Sequence, residues 1–153
     1  MKVLVTGGAG FIGSHVVDSL LRNNNPVICL DNFDPYYDIK IKRGNIAPFL
    51  DNNNFYLIEG DVKNKEILDK IISDHNVEYI VHEAAQPGVR ASVSDPLKST
   101  MVNIVGTLSI LQASVDSSVK KIINASSSSI YGKVKYLPFD ENHPKEPLSP
   151  YGA

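Results

Sequence analysis

The segment Gly7-Gly8-Ala9-Gly10-Phe11-Ile12-Gly13 constrains this chain more than any other. It follows the apolar run Val3-Leu4-Val5 and opens a stretch of helical period. Gly8, Gly10 and Gly13 satisfy G-x-G-x-x-G, and Gly7, Gly10 and Gly13 give a second glycine spacing. Alone such a match is weak; between a strand and a helix it is stronger. The turn must be tight and its backbone must come close to a diphosphate, which side chains would prevent. The helix that follows offers unpaired N–H groups and a positive dipole end to the anion. A plain strand-to-helix glycine turn is the alternative.

Short apolar runs alternate with helical periods along the rest of the chain, the pattern of a parallel sheet wrapped by helices. Ile12, Val16, Val17, Leu20 and Leu21 fall on one face of the first helix, which Asn23-Asn24-Asn25-Pro26 ends. Further strands are expected at Val27 to Leu30, Phe55 to Ile58, Tyr79 to His82 and Lys121 to Asn124. Residues 32–53 read as a loop with one short helix. Ile67, Leu68, Ile71 and Ile72 mark an amphipathic helix. Asp95-Pro96 is a good N-cap and first-turn pair, and its helix is expected to turn Leu97, Met101, Ile104, Val105, Leu108 and Leu111 toward the core. After Gly132 the chain is rich in proline. The expected fold is one α/β domain over residues 1–153, a doubly wound parallel sheet in the order 3-2-1-4-5.

Composition excludes some functions. Fifteen basic and seventeen acidic residues give a net charge of -2 with no long run of either sign, which argues against a nucleic-acid or anionic-membrane surface. No apolar stretch approaches the ~18 residues of a membrane span, and the first strand pattern begins at Lys2, so a cytoplasmic location is expected. Cys29, the single cysteine, sits in Val27-Ile28-Cys29-Leu30 and reads as a buried structural thiol. Asn124-Ala125-Ser126 matches a glycosylation acceptor by chance, in what reads as a buried strand. His15, His75, His82 and His143 have no metal-ligand spacing, so no metal is expected.

Asp31 follows Gly13 by 31 − 13 = 18 residues at the end of the second strand. An acid near ~20 residues after the glycines binds adenosine ribose hydroxyls. Its charge would repel a 2′-phosphate, and Asn32 and Phe33 supply no arginine, so NAD is favoured over NADP. A solvated loop-start aspartate is the alternative. Asp61, in Gly60-Asp61-Val62, reads equally as an adenine-edge contact, a turn former or a helix cap. His82-Glu83-Ala84-Ala85 closes the fourth strand with small residues that would let a ligand approach the backbone. From spacing alone Tyr151 is a turn tyrosine, Ser126 to Ser129 a polar loop start, and Arg90 an exposed loop residue or a contact to a substrate anion.

Thr6-Gly7-Gly8-Ala9-Gly10-Phe11-Ile12-Gly13-Ser14-His15 resembles the opening of the extended short-chain dehydrogenase/reductases. Ser126-Ser127-Ser128-Ser129-Ile130-Tyr131-Gly132 and Ser149-Pro150-Tyr151-Gly152-Ala153 resemble the two catalytic stretches of that family. Residues 31–38 and Ala84-Ala85-Gln86-Pro87-Gly88-Val89-Arg90 are most similar to its UDP-glucuronate and UDP-glucose 4-epimerases. The resemblance implies Tyr151 as the catalytic tyrosine, with Ser127 as its hydroxyl partner. It implies Phe11 and Ile12 as backbone donors to the cofactor's diphosphate, and Asp31 and Asn32 as ribose contacts. Asp61 and Val62 would touch the adenine, while Ala84, Ala85, Gln86 and Asn103 would line the cofactor. It also implies a UDP-sugar substrate oxidised transiently at C4, and a homodimer of the full-length protein.

A tyrosine with an ordinary pKa of about 10 needs nearby positive charge to act as a base near pH 7. In the family a lysine four residues later supplies part of it. That position would be 155, beyond Ala153, and the sugar-binding C-terminal part would lie further on. The chain alone is therefore expected to bind NAD weakly and to show no turnover. Related dehydratases carry an Asp-Glu pair where Ser128 and Ser129 stand here, which disfavours dehydration. Two other readings stay open. One is a dinucleotide-binding module without chemistry of its own, which a coding sequence lacking a lysine two codons past Ala153 would favour. The other is a decarboxylase or reductase of the same family.

Overall fold

The computed structural model describes residues 1–153. Its strands are β1 (Val3–Thr6), β2 (Val27–Asp31), β3 (Phe55–Glu59), β4 (Tyr79–His82) and β5 (Lys121–Asn124). They form one parallel sheet in the order β3-β2-β1-β4-β5, as the alternation predicts. The register sets Val3 beside Val27 and Tyr79, so the strands end level with one another around Thr6, Leu30 and His82.

Period-two alternation sends side chains to two cores. Leu4, Ile28, Leu30 and Ile80 pack with Leu68, Ile71 and Ile72 of α3 (Lys65–His75). Val3, Val5, Val27 and Cys29 pack with Val17 and Leu21 of α1 (Phe11–Arg22), and with Ile46 of α2 (Ile39–Ile46). Cys29 is fully buried, and burial, with Asp31 nearby, pushes its thiol pKa up to about 12, so it is inert at neutral pH. Ile12 departs from the expected helix face. It is 61% exposed, because α1 begins at the cleft rim rather than over the sheet.

A larger departure lies between β4 and β5. Val89–Ser94 forms α4 and Pro96–Thr100 forms α5, with Asp95 accepting from the Lys98 N–H at 3.0 Å as the predicted cap. A π turn over Met101–Val105 then leads into α6 (Gly106–Ser114). Leu97, Met101, Ile104, Leu108 and Leu111 all face outward and Val105 is only half-buried; the buried residues are Ser99, Gly106, Ser109, Ile110 and Ala113. The reason is close packing. A Cβ on Gly106 would stand 2.8 Å from Val62 Cγ2, so only the small-residue face can approach. A pattern of apolar residues marks a stripe, but not which neighbour covers it.

The β5 edge is more exposed than its composition suggests. Asn124, Ala125 and Ser126 are exposed, contrary to the buried strand expected there. No helix is long and apolar enough to cross a membrane.

Candidate functional site

β1 pairs with β2 on one side and β4 on the other, and their connections run to opposite faces of the sheet. The strand order therefore reverses beside β1, where a crevice opens at the carboxyl ends of the strands. The cleft there measures about 680 Å³. Gly7, Gly10, Phe11, Ile12 and Gly13 line it, as do Asp31, Asn32 and Val62. So do Ala84, Ala85, Gln86 and Asn103, and at its far end Ser127 and Tyr151. Of the predicted site residues only Asp61 falls outside, in a shallow recess that Asn32 shares.

The glycine turn has the shape its sequence requires. Gly7 adopts φ +67°, and a Cβ there would lie 2.8 Å from the backbone of Ala84. The first helical bond of α1 runs from the Ser14 N–H to the Gly10 carbonyl at 3.0 Å. The N–H groups of Phe11, Ile12 and Gly13 precede that ladder and are available to an acceptor. Beside them the Tyr37 hydroxyl is buried without a hydrogen-bond partner. Burial, then Asp31, raise its pKa against the opposing pull of the nearby Phe11 amide. An orphaned buried donor costs about 1–3 kcal/mol. Open amides and an orphan hydroxyl at a glycine turn fit a diphosphate group.

Asp31 is 4% exposed and heavily bonded. Oδ2 accepts from the Ala9 N–H at 3.1 Å; Oδ1 accepts from the Phe33 N–H at 2.8 Å and from Lys42 Nζ at 3.2 Å. Asp61 accepts from the Lys63 N–H at 2.9 Å and from Asn32 Nδ2 at 3.2 Å. Burial alone would raise the Asp61 pKa, but these bonds and the Lys63 ammonium together lower it. Asp61 is therefore a turn former, while Asn64 caps α3 by accepting from the Ile67 N–H at 3.2 Å. Reading the sequence missed Lys42, Tyr37 and Ser92. The first two sit in the weakly patterned stretch after β2, and nothing in that stretch's spacing points at the cleft.

The end of β4 is held by a buried polar chain. Thr6 Oγ1 lies 2.6 Å from His82 Nδ1, and His82 Nε2 lies 3.1 Å from Thr107 Oγ1. Thr107 donates to the Asn103 carbonyl at 2.6 Å. Asn103 Oδ1 in turn accepts from the Gln86 N–H at 2.7 Å, and Asn103 Nδ2 donates to the Gln86 carbonyl at 3.2 Å. The π turn carries Asn103, and π turns often serve functional sites. Desolvation lowers the His82 pKa to about 4, so it is neutral at pH 7.

At the far end, Ser127 caps the short 3-10 turn Ser128–Ile130 by accepting from the Ser129 N–H at 3.2 Å. The Tyr151 turn packs onto that segment, since a Cβ on Gly152 would lie 2.6 Å from the Ser129 carbonyl oxygen. The Tyr151 N–H donates to Ser92 Oγ at 3.1 Å, and Ser92 is itself 1% exposed. Arg90 is exposed on α4. His143 is buried but satisfied, accepting from the Lys135 N–H at 3.1 Å and donating to the Pro144 carbonyl at 2.8 Å.

Fold and cleft together define a Rossmann-type doubly wound domain with a dinucleotide-shaped crevice at its switch point. The family model described as GDP-mannose 4,6 dehydratase matches residues 4–153, and the chain belongs to that family of epimerases and dehydratases. It is 39% identical over 155 residues to UDP-glucuronate 4-epimerase 4 of Arabidopsis thaliana, covering all of this chain and 35% of the relative. Among solved structures, UDP-glucuronic acid 4-epimerase from Bacillus cereus, in complex with UDP-glucuronic acid and NAD, superposes with a TM-score of 0.91 at 39% identity. That match covers 99% of this chain and 48% of the other. UDP-glucose 4-epimerase from Thermotoga maritima, solved with UDP-glucose, gives 0.85 at 40% identity over 99% of this chain and 47% of the other. The chain thus spans less than half the length of the relatives it matches.

Proposed function

We propose that residues 1–153 form the NAD-binding domain of a nucleotide-sugar 4-epimerase acting on a UDP-sugar. The observation that carries this reading is one cleft lined by the glycine turn at one end and by Ser127 and Tyr151 at the other. Phe11 and Ile12 would donate backbone N–H groups to the diphosphate, and Gly7, Gly10 and Gly13 would let it approach. Asp31 and Asn32 would hold the adenosine ribose, with Val62 at the adenine and Asp61 shaping the turn beside it. Ala84, Ala85, Gln86 and Asn103 would line the remainder, stiffened by the His82 chain. A nicotinamide dinucleotide, when bound, supplies reversible hydride transfer.

The chain's own residues would handle the proton. Tyr151 would take it from the sugar C4 hydroxyl and return it, while Ser127 would hold that oxygen by a hydrogen bond. Ser128 and Ser129 offer no acid or base strength for eliminating water, which supports epimerisation over dehydration. Binding is tested by calorimetric titration with NAD, where absence of saturable heat would overturn the reading. The chemistry is tested in the protein carrying these residues, by NMR of C4 configuration in UDP-glucose and UDP-glucuronate. Interconversion is expected, and Tyr151→Phe should abolish it while NAD affinity stays.

We further propose that the outward stripe of Leu97, Met101, Ile104, Leu108 and Leu111 pairs with a second copy of the chain. Single exposed apolar residues are ordinary, but five of them at helical spacing along one segment support this reading. Leu108→Glu should shift the protein from dimer to monomer in analytical ultracentrifugation without changing its melting profile as a monomer. A wild-type chain that stays monomeric at high micromolar concentration would refute this.

A further inference from the structure

Two lysines line the cleft, Lys42 and Lys145, and only Lys42 stands at the Asp31 end. Its side chain is 11% exposed, its ammonium is 3.2 Å from Asp31 Oδ1, and it lies 5.5 Å from the centre of the Tyr37 ring. Arg43, next in sequence, is committed elsewhere. It bonds Glu59 through both terminal nitrogens at 2.7 and 2.9 Å and stacks 3.7 Å above Phe33. A cation of the kind the sequence around Asp31 does not reveal therefore stands in the cleft wall, and a carboxylate neutralises it.

The donor and acceptor counts leave room for a ligand. A carboxylate has about four lone-pair sites, and three of those on Asp31 are used, by Ala9, Phe33 and Lys42. An ammonium has three N–H donors, and one is spent on Asp31. The pair thus still presents one acceptor and further donors. That is the complement of a vicinal diol, whose hydroxyls both donate and accept.

We propose that Lys42 is the residue that sets cofactor discrimination here: it donates to the adenosine ribose beside Asp31, and only the Asp31 charge keeps it from holding a 2′-phosphate. This rests on the NAD-site reading above. The preference for NAD is then not an absence of positive charge but a neutralised charge, and removing the carboxylate releases it. A lysine freed in a largely enclosed wall is a good phosphate partner, because charge-assisted bonds are about twice as strong as neutral ones.

The test is calorimetric titration of the 153-residue chain with NAD and with NADP, for the wild type, Lys42→Met, Asp31→Asn, Asp31→Asn/Lys42→Met and Asp31→Asn/Lys42→Arg. Circular dichroism first checks that each is folded. The wild type is expected to bind NAD in preference to NADP. Lys42→Met should weaken NAD about 10-fold, the loss of a bond from a charged donor. Asp31→Asn should strengthen NADP about 10-fold or more. Asp31→Asn/Lys42→Arg should keep that gain, because a cation remains, and Asp31→Asn/Lys42→Met should lose it. A gain that survives Asp31→Asn/Lys42→Met, or Lys42→Met binding NAD like the wild type, would overturn the proposal. If Asp31→Asn does not fold, the single Lys42→Met titration decides. A wild type that binds neither dinucleotide would instead bring down the NAD-site reading.

Discussion

Gly13→Ala is expected to destabilise the chain by about 3 kcal/mol or more, the upper part of the range for overpacking a tight contact, and to weaken NAD binding beyond measurement. A Cβ on Gly13 would lie closer to the Gly7 carbonyl oxygen than any real contact allows, and 2.8 Å from Gly8 Cα. Those neighbours are backbone, so no side chain can swing aside. Either α1 tilts away from the turn or the turn opens, and both move the Phe11 and Ile12 amides. Backbone strain at Gly13 itself plays no part, since its φ is not positive. Gly44→Ala is the control, because a Cβ there meets nothing within 4 Å. Urea unfolding and NAD titration of both variants check the claim. A Gly13→Ala chain with wild-type stability and affinity would show that the turn does not hold the helix as described.

The contrast between those two glycines bears on what the sequence can reveal. Strand order, the turn and the cleft-facing residues of β1, β2 and β4 were legible because local pattern and global fold agree there. Alternation names the strands, and glycine spacing names the turn. The helix after Asp95 was misread because its apolar stripe is real but faces outward. Its buried face is made of Ser99, Gly106, Ser109, Ile110 and Ala113, of which only Ile110 is a large apolar residue that a hydrophobic count would select. Lys42 was hidden for another reason. Its partner Asp31 lies eleven residues earlier across a turn, and pairing across an irregular stretch leaves no period in sequence. The roles proposed for Tyr151 and Ser127 come only from resemblance, because spacing in sequence does not show that both line one cleft.

Between pH 7 and pH 4 the chain should lose about 3 kcal/mol of stability through His82 alone, as follows from about 2.5 pK steps between an unfolded value near 6.5 and a folded value near 4. Burial depresses the folded pKa, so the unfolded state binds the proton first as pH falls. The contribution is therefore complete above about pH 6.5 and is lost as the pH drops toward the folded value of about 4. Geometry agrees with that sign. Thr107 donates its proton to the Asn103 carbonyl, so its oxygen accepts from His82 Nε2, leaving Nδ1 as the acceptor toward Thr6. A proton on Nδ1 removes the acceptor that the Thr6 hydroxyl uses, and that hydroxyl also receives the Ala84 N–H at 3.3 Å. Protonation therefore loosens β4 where its end lines the cleft, and NAD affinity should weaken over the same pH range. Urea unfolding of wild type and His82→Gln across that range isolates the effect, since titration of the exposed carboxylates is common to both and cancels in the difference. The stability gap should shrink steadily as pH falls, and parallel curves would mean that the imidazole carries no such coupling.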